Sequence, residues 1–209
     1  MRASPRECPY EPHGAAIAAL LDFSSELLIS GPAGTGKSRI LLEKLYDAAY
    51  RYPGMRGLIV RQVRASLTET GLVTWEKVVV PPGHPILTGP SRGSRRSYVF
   101  PNGSEIVVGG LDKPDKIMSS EYDLIYAQES IELKEDGWEA LTTRLRNGVM
   151  PYQQLMADCN PSSPSHGSRS GATWGAPSSS TRGTRTTRDS TRTARGPRSA
   201  SSTSPSWTT

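Results

Sequence analysis

Gly31-Pro32-Ala33-Gly34-Thr35-Gly36-Lys37-Ser38 fills every fixed position of the phosphate-loop pattern G-x-x-x-x-G-K-[ST]. Its surroundings fit the pattern. Glu26-Leu27-Leu28-Ile29-Ser30 before it reads as a buried strand, and residues 37–50 after it read as a helix with an apolar face, stopped by Pro53-Gly54. Glycines at 31, 34 and 36 let the backbone curl so that successive N–H groups point at phosphate oxygens, to which the helix N-terminus adds its positive end. Thr35 belongs to the same loop. Lys37 then reaches the β- and γ-phosphates, and the Ser38 hydroxyl ligates Mg²⁺. The stretch predicts binding of a nucleoside triphosphate with its magnesium.

Working outward, Gly57-Leu58-Ile59-Val60 reads as a second buried strand ending at Arg61, and residues 65–79 as a helix. Ser97–Phe100 and Ser104–Val108 flank Asn102-Gly103, a strong hairpin signal. Residues 122–127 form a third buried strand, 135–146 a helix, and 153–157 a fourth strand. Buried strands alternating with helices predict an α/β fold, a mainly parallel sheet flanked by helices, with the hairpin inserted. Polar groups of such sheets gather at the carboxyl ends of the strands. Here those ends carry the phosphate loop, Gln128-Glu129 and Asp158-Cys159-Asn160.

Leu124-Ile125-Tyr126-Ala127-Gln128-Glu129 has the shape of a Walker B strand, apolar residues ending in an acid. Glu129 is the candidate base that activates water. Gln128 stands where an Asp is usual and can meet the Mg²⁺ shell only through bound water, without charge. Asp123, roughly 17–20 Å away at the start of the strand, cannot replace it. The plainer alternative is that Glu129 caps the next helix. Asn160 is either a γ-phosphate sensor or a turn former ahead of Pro161. Arg144 and Arg146 either complement the helix dipole or supply an arginine finger to a neighbouring subunit, with Arg61 a competing candidate.

These motifs, with Tyr10-Glu-Pro-His-Gly-Ala-Ala, Thr143-Arg-Leu-Arg-Asn147 and Met156-Ala-Asp-Cys-Asn-Pro161, resemble the tailed-phage terminase large subunit over nearly all of residues 8–166. The resemblance implies an ATP-driven motor packaging double-stranded viral DNA into a procapsid. It implies a ring of large subunits working with a portal protein and a terminase small subunit, in the cytoplasm of a bacterial host. By that likeness Lys37 and Ser38 bind phosphates and Mg²⁺, Glu129 is the catalytic acid, residues 158–160 form the coupling motif, and Tyr10 lies near adenine. Gln128 departs from the pattern, which bears on the hydrolytic rate. Rival readings are a helicase or nucleotide kinase, or an inactive remnant that folds without turnover.

Composition divides the chain. Residues 1–166 carry 18 Lys+Arg and 19 Asp+Glu, whereas residues 167–209 carry seven Arg and one acid, Asp189, so the net charge of +5 comes from the tail. With 21 Ser or Thr among its 43 residues and no Leu, Ile, Val, Met, Phe or Tyr, the tail is expected to be disordered. It cannot hold the carboxylate cluster of the nuclease domain that the resemblance implies, so the expected domain is a terminase-like ATPase over 1–166, incomplete and without nuclease activity. Loss of one base after the His166 codon accounts for the tail. Regrouped codons then allow Trp-Leu-Lys at 167–169, Arg-His-Glu-Asp-Asn-Pro over 182–188 and Ile-Ala-Lys-Leu-Asp over 203–208. The alternative is a genuine Ser/Arg-rich interaction tail. Cys8 and Cys159 are too few for a disulfide framework. No apolar run is long enough for a membrane span, and no membrane partner is expected.

Overall fold

The computed structural model describes residues 10–160. The tail, its proposed change of frame, the boundary at residue 166 and Cys8 lie outside the described residues. Six strands form one sheet: β1 (Glu26–Ser30), β2 (Arg56–Arg61), β3 (Ser97–Val99), β4 (Glu105–Gly110), β5 (Leu124–Ala127) and β6 (Gln154–Cys159). Their order is β1-β6-β5-β2-β4-β3. Every pairing is parallel except β3 with β4. The α/β reading therefore holds. The predicted hairpin exists, but it extends the sheet instead of standing apart from it, because β4 runs parallel to β2 from Arg56↔Glu105 to Arg61↔Gly110.

Both faces of the sheet are covered, which is why β2, β5 and β6 read as continuous apolar runs rather than alternating ones. On one face α2 (Lys37–Arg51) buries Ile40, Leu41 and Leu45 with Ile59, Tyr126 and Met156. On the other, Leu58, Val60, Ile125 and Ala157 pack with Trp138 and Leu141, which lie on a helix over Glu135–Thr142.

The helices depart from the sequence reading in four places, two of them helices it did not foresee. A short helix, α1 (Ala15–Leu21), precedes β1; the Lys44 ammonium on α2 donates to the carbonyls of Ala19 and Asp22 at its end. The predicted helix over 65–79 breaks at Thr70 (φ −122°, ψ −82°) into α3 (Arg64–Glu69) and α4 (Gly71–Thr74), then a π-helical turn over Trp75–Val79. The segment over 135–146 leaves the helix after Thr142, since Leu145 bridges Tyr122 beside the sheet. One further short helix, α5 (Asp115–Met118), follows β4, so the helix over Glu135–Thr142 is α6. No helix among the described residues is long and apolar enough to cross a membrane.

Candidate nucleotide site

The phosphate loop joins β1 to α2 at the carboxyl edge of the sheet. Gly34 and Gly36 take φ of 79° and 84°, the left-handed region open to glycine, and this turns the loop back over the start of α2. The Lys37 ammonium, nearly buried, spends its three protons on the Gly31 carbonyl (2.7 Å), the Pro32 carbonyl (2.7 Å) and Asn160 Oδ1 (2.9 Å). The Thr35 hydroxyl donates to the Pro32 carbonyl at 2.9 Å. Tyr10, with Arg39 stacked 4.6 Å over its ring, lines the same cavity of about 990 Å³ as Gly31, Thr35, Gly36 and Lys37. That volume is within the range that takes a nucleotide-sized ligand.

Because β6 lies between β1 and β5, the end of β6 touches both motifs. Asn160 Nδ2 donates to Glu129 Oε1 at 2.8 Å while Asn160 Oδ1 accepts from Lys37, so one amide links loop and acid. Glu129 has φ 51°, the only described non-glycine residue with positive φ. Such a conformation costs about 1–3 kcal/mol and clusters at functional sites. Its N–H donates to Asp158 Oδ1 at 2.9 Å. Glu129 precedes only a single 3₁₀ turn, Ser130–Glu132, and its side chain makes no capping hydrogen bond there. Asp158 is almost fully buried; its Oδ2 accepts from the Ser38 hydroxyl and from Tyr126 (3.0 Å). Burial, then the Asp158 charge, pushes the Tyr126 hydroxyl well above its ordinary range, so it stays protonated and donates.

The family model described as phage terminase large subunit matches residues 27–170. The chain belongs to that family. A large terminase from a thermophilic bacteriophage superposes with TM-score 0.59 at 13% identity, covering 75% of this chain and 41% of that one. Its complex with ADP gives TM-score 0.59 at 12% identity, over 74% and 40% of the two chains. The large terminase ATPase domain of Thermus phage P74-26 gives TM-score 0.52 at 18% identity, over 74% and 67%. These likenesses establish the fold. The chain spans about two fifths of the first two terminases. No curated protein sequence matches it.

Within this terminase fold, the other predicted site residues separate. Gln128 turns away from Ser38: its Oε1 accepts from the Thr70 hydroxyl at 3.0 Å and stands 2.8 Å from where a Cβ on Gly71 would be. Arg61 donates to Thr70 (3.1 Å) and bidentately to Glu132 (2.9 and 2.6 Å). That pairing raises the Arg61 pKa and lowers that of Glu132. Arg61 therefore sits at the carboxyl edge, near enough to feel Glu129 and Asp158. Arg144 and Arg146 lie at the opposite edge. The Arg144 carbonyl accepts from Tyr122 N–H (2.8 Å), and Arg146 pairs with Glu121 (2.9 Å). From Tyr122 to Glu129 is about 20 Å of extended chain, so neither arginine reaches its own phosphate loop. The contact between Asp158 and Ser38 was not foreseen. Its signal was parity: Asp158 follows Met156 by two residues, on the α2 face of the sheet.

The donor set around Ser38 suits magnesium, since one hydroxyl and one carboxylate are hard oxygen ligands. Among the described residues no group of three or more His, Cys, Asp or Glu could hold a metal. A Mg²⁺ carried in on phosphates needs only one or two protein oxygens.

Proposed function

We propose that this chain is the ATP-binding and ATP-hydrolysing motor part of a phage terminase large subunit. The observation that carries the reading is the amide bridge between Lys37 and Glu129, which couples a phosphate-binding cation to a candidate base across 31 residues of sequence on one side and 123 on the other. Lys37 and the loop N–H groups bind the β- and γ-phosphates, giving most of the affinity. Glu129 orients a water in line with the γ-phosphate and accepts its proton. Mg²⁺ arriving with ATP would be held through the Ser38 hydroxyl and would supply neutralising charge to the phosphates. Tyr10 borders the adenine end of the cavity. Arg144 and Arg146, remote from their own loop, serve a neighbouring subunit if they act as fingers; Arg61 is the candidate inside this chain.

Family membership and the ADP complex of the related large terminase support nucleotide use. By the same likeness the motor works on double-stranded viral DNA in the bacterial cytoplasm, in a ring with the portal protein and small subunit. The test separates binding from turnover. Glu129→Gln should keep ATP affinity within a few-fold of the parent while phosphate release falls on the order of a hundredfold. A variant that hydrolyses ATP as fast as the parent removes Glu129 from the chemistry.

A further inference from the structure

We propose that Asp158 is the carboxylate of the Mg²⁺ shell in this chain, taking the charge that Gln128 lacks. The inference rests on the nucleotide reading above and goes beyond it by dividing two duties between strands: charge on β6, water activation at the end of β5.

Three observations converge. A hydroxyl that gives a lone pair to a cation must send its proton elsewhere, and the Ser38 proton goes to Asp158 Oδ2. Asp158 is 1% exposed, yet among the described residues no Lys, Arg or His forms an ion pair with it. Its donors are neutral: Ser38, the Tyr126 hydroxyl and Glu129 N–H. Arg61 acts on it only through space; a buried carboxylate with no cation in contact is costly, and a divalent cation beside Ser38 supplies that contact. Finally, the register Ala127↔Ala157 puts positions 128 and 158 side by side. The neutral Gln128 is taken up by Thr70, whereas the charged Asp158 faces the loop.

The test compares ATP affinity by calorimetry in Mg²⁺ and in EDTA, on the 209-residue chain. The ratio of the two affinities is the readout, because a general loss of stability lowers both. Asp158→Asn should cut the tightening by Mg²⁺ about tenfold or more, the usual cost of removing an outer partner of a metal. An unchanged ratio overturns the proposal. Should Asp158→Asn fail to fold by circular dichroism, Asp158→Glu decides. It keeps the charge but moves it by one methylene, so the Mg²⁺ concentration for half-maximal tightening should shift several-fold, and an unmoved midpoint overturns the proposal. A parent that binds no ATP under either condition removes the nucleotide reading and this one with it. A binding parent with an insensitive Asp158 variant removes only the role of Asp158.

Discussion

Lys37 shows how a single side chain can be both fully bonded and ready to change partners. Its three nearest acceptors are two loop carbonyls and one side-chain amide, with the Thr35 hydroxyl farther off at 3.5 Å, and water can serve each of them once the ammonium turns to a phosphate. Lys37→Ala should therefore fold normally by circular dichroism and lose ATP affinity by about a hundredfold or more, since hydrogen bonds to charged groups contribute about 1.5–3 kcal/mol each. Retained affinity in the folded variant would remove the phosphate-loop reading. At this scale the sequence was most legible where the chemistry is local. Residues 31–38 carry their own geometry, because glycine spacing and the helix that follows suffice. Asp158 was not legible, for its meaning depends on β6 lying beside β1, and no run of residues states the order of strands.

Among the elements, β5 and its neighbours show the roles of two buried ionisable groups. Asp123, just before β5, accepts from the N–H groups of Val149 (2.9 Å), Met150 (3.2 Å) and Arg56 (3.1 Å), and from Asn147 Nδ2 (2.7 Å). It fixes the 147–150 loop at the amino edge, far from the chemistry. Asp123→Ala leaves those donors without an acceptor and should cost about 3 kcal/mol or more in urea denaturation; a loss near zero would mean that water replaces the carboxylate. Lys44 ties α1 to α2, and burial pushes its pKa down from 10.5 to about 8. Between those values the unfolded chain keeps a proton that the folded chain has released, so this group makes stability rise with pH across the window. From about pH 10 upward Tyr152, its pKa pushed up by burial to about 12, contributes the opposite slope. Melting temperatures from pH 8 to about 9.5 should climb in the parent relative to Lys44→Met, and parallel curves would contradict this. The break of the predicted 65–79 helix lies at this scale too. Local propensity favoured one helix, but Thr70 is held by Gln128 and Arg61 from two other strand ends.

Among the described residues the phosphate loop, Glu129, Asp158 and Asn160 gather at the carboxyl edge of a six-stranded sheet, and of the three strands that carry them β6 lies between the other two. Two-metal nuclease chemistry needs several converging carboxylates; among the described residues no group of three or more His, Cys, Asp or Glu could hold a metal, and residues 167–209 hold only Asp189. The purified chain should therefore leave plasmid DNA uncut in Mg²⁺ or Mn²⁺, and nicking by a clean preparation that is lost on mutating acids in residues 1–166 would contradict this. β6 is also held at its other end. Gln154 Nε2 donates to the Ser24 carbonyl (2.7 Å) and to Asp22 Oδ1 (2.9 Å), about six residues from the amide that joins Lys37 to Glu129. In the language of machines, Asn160 is an interlock. A phosphate that draws Lys37 away removes the donor to one end of that amide and leaves its grip on Glu129 as the remaining bond, so the loop that admits the phosphate and the acid that faces the water cannot be set independently.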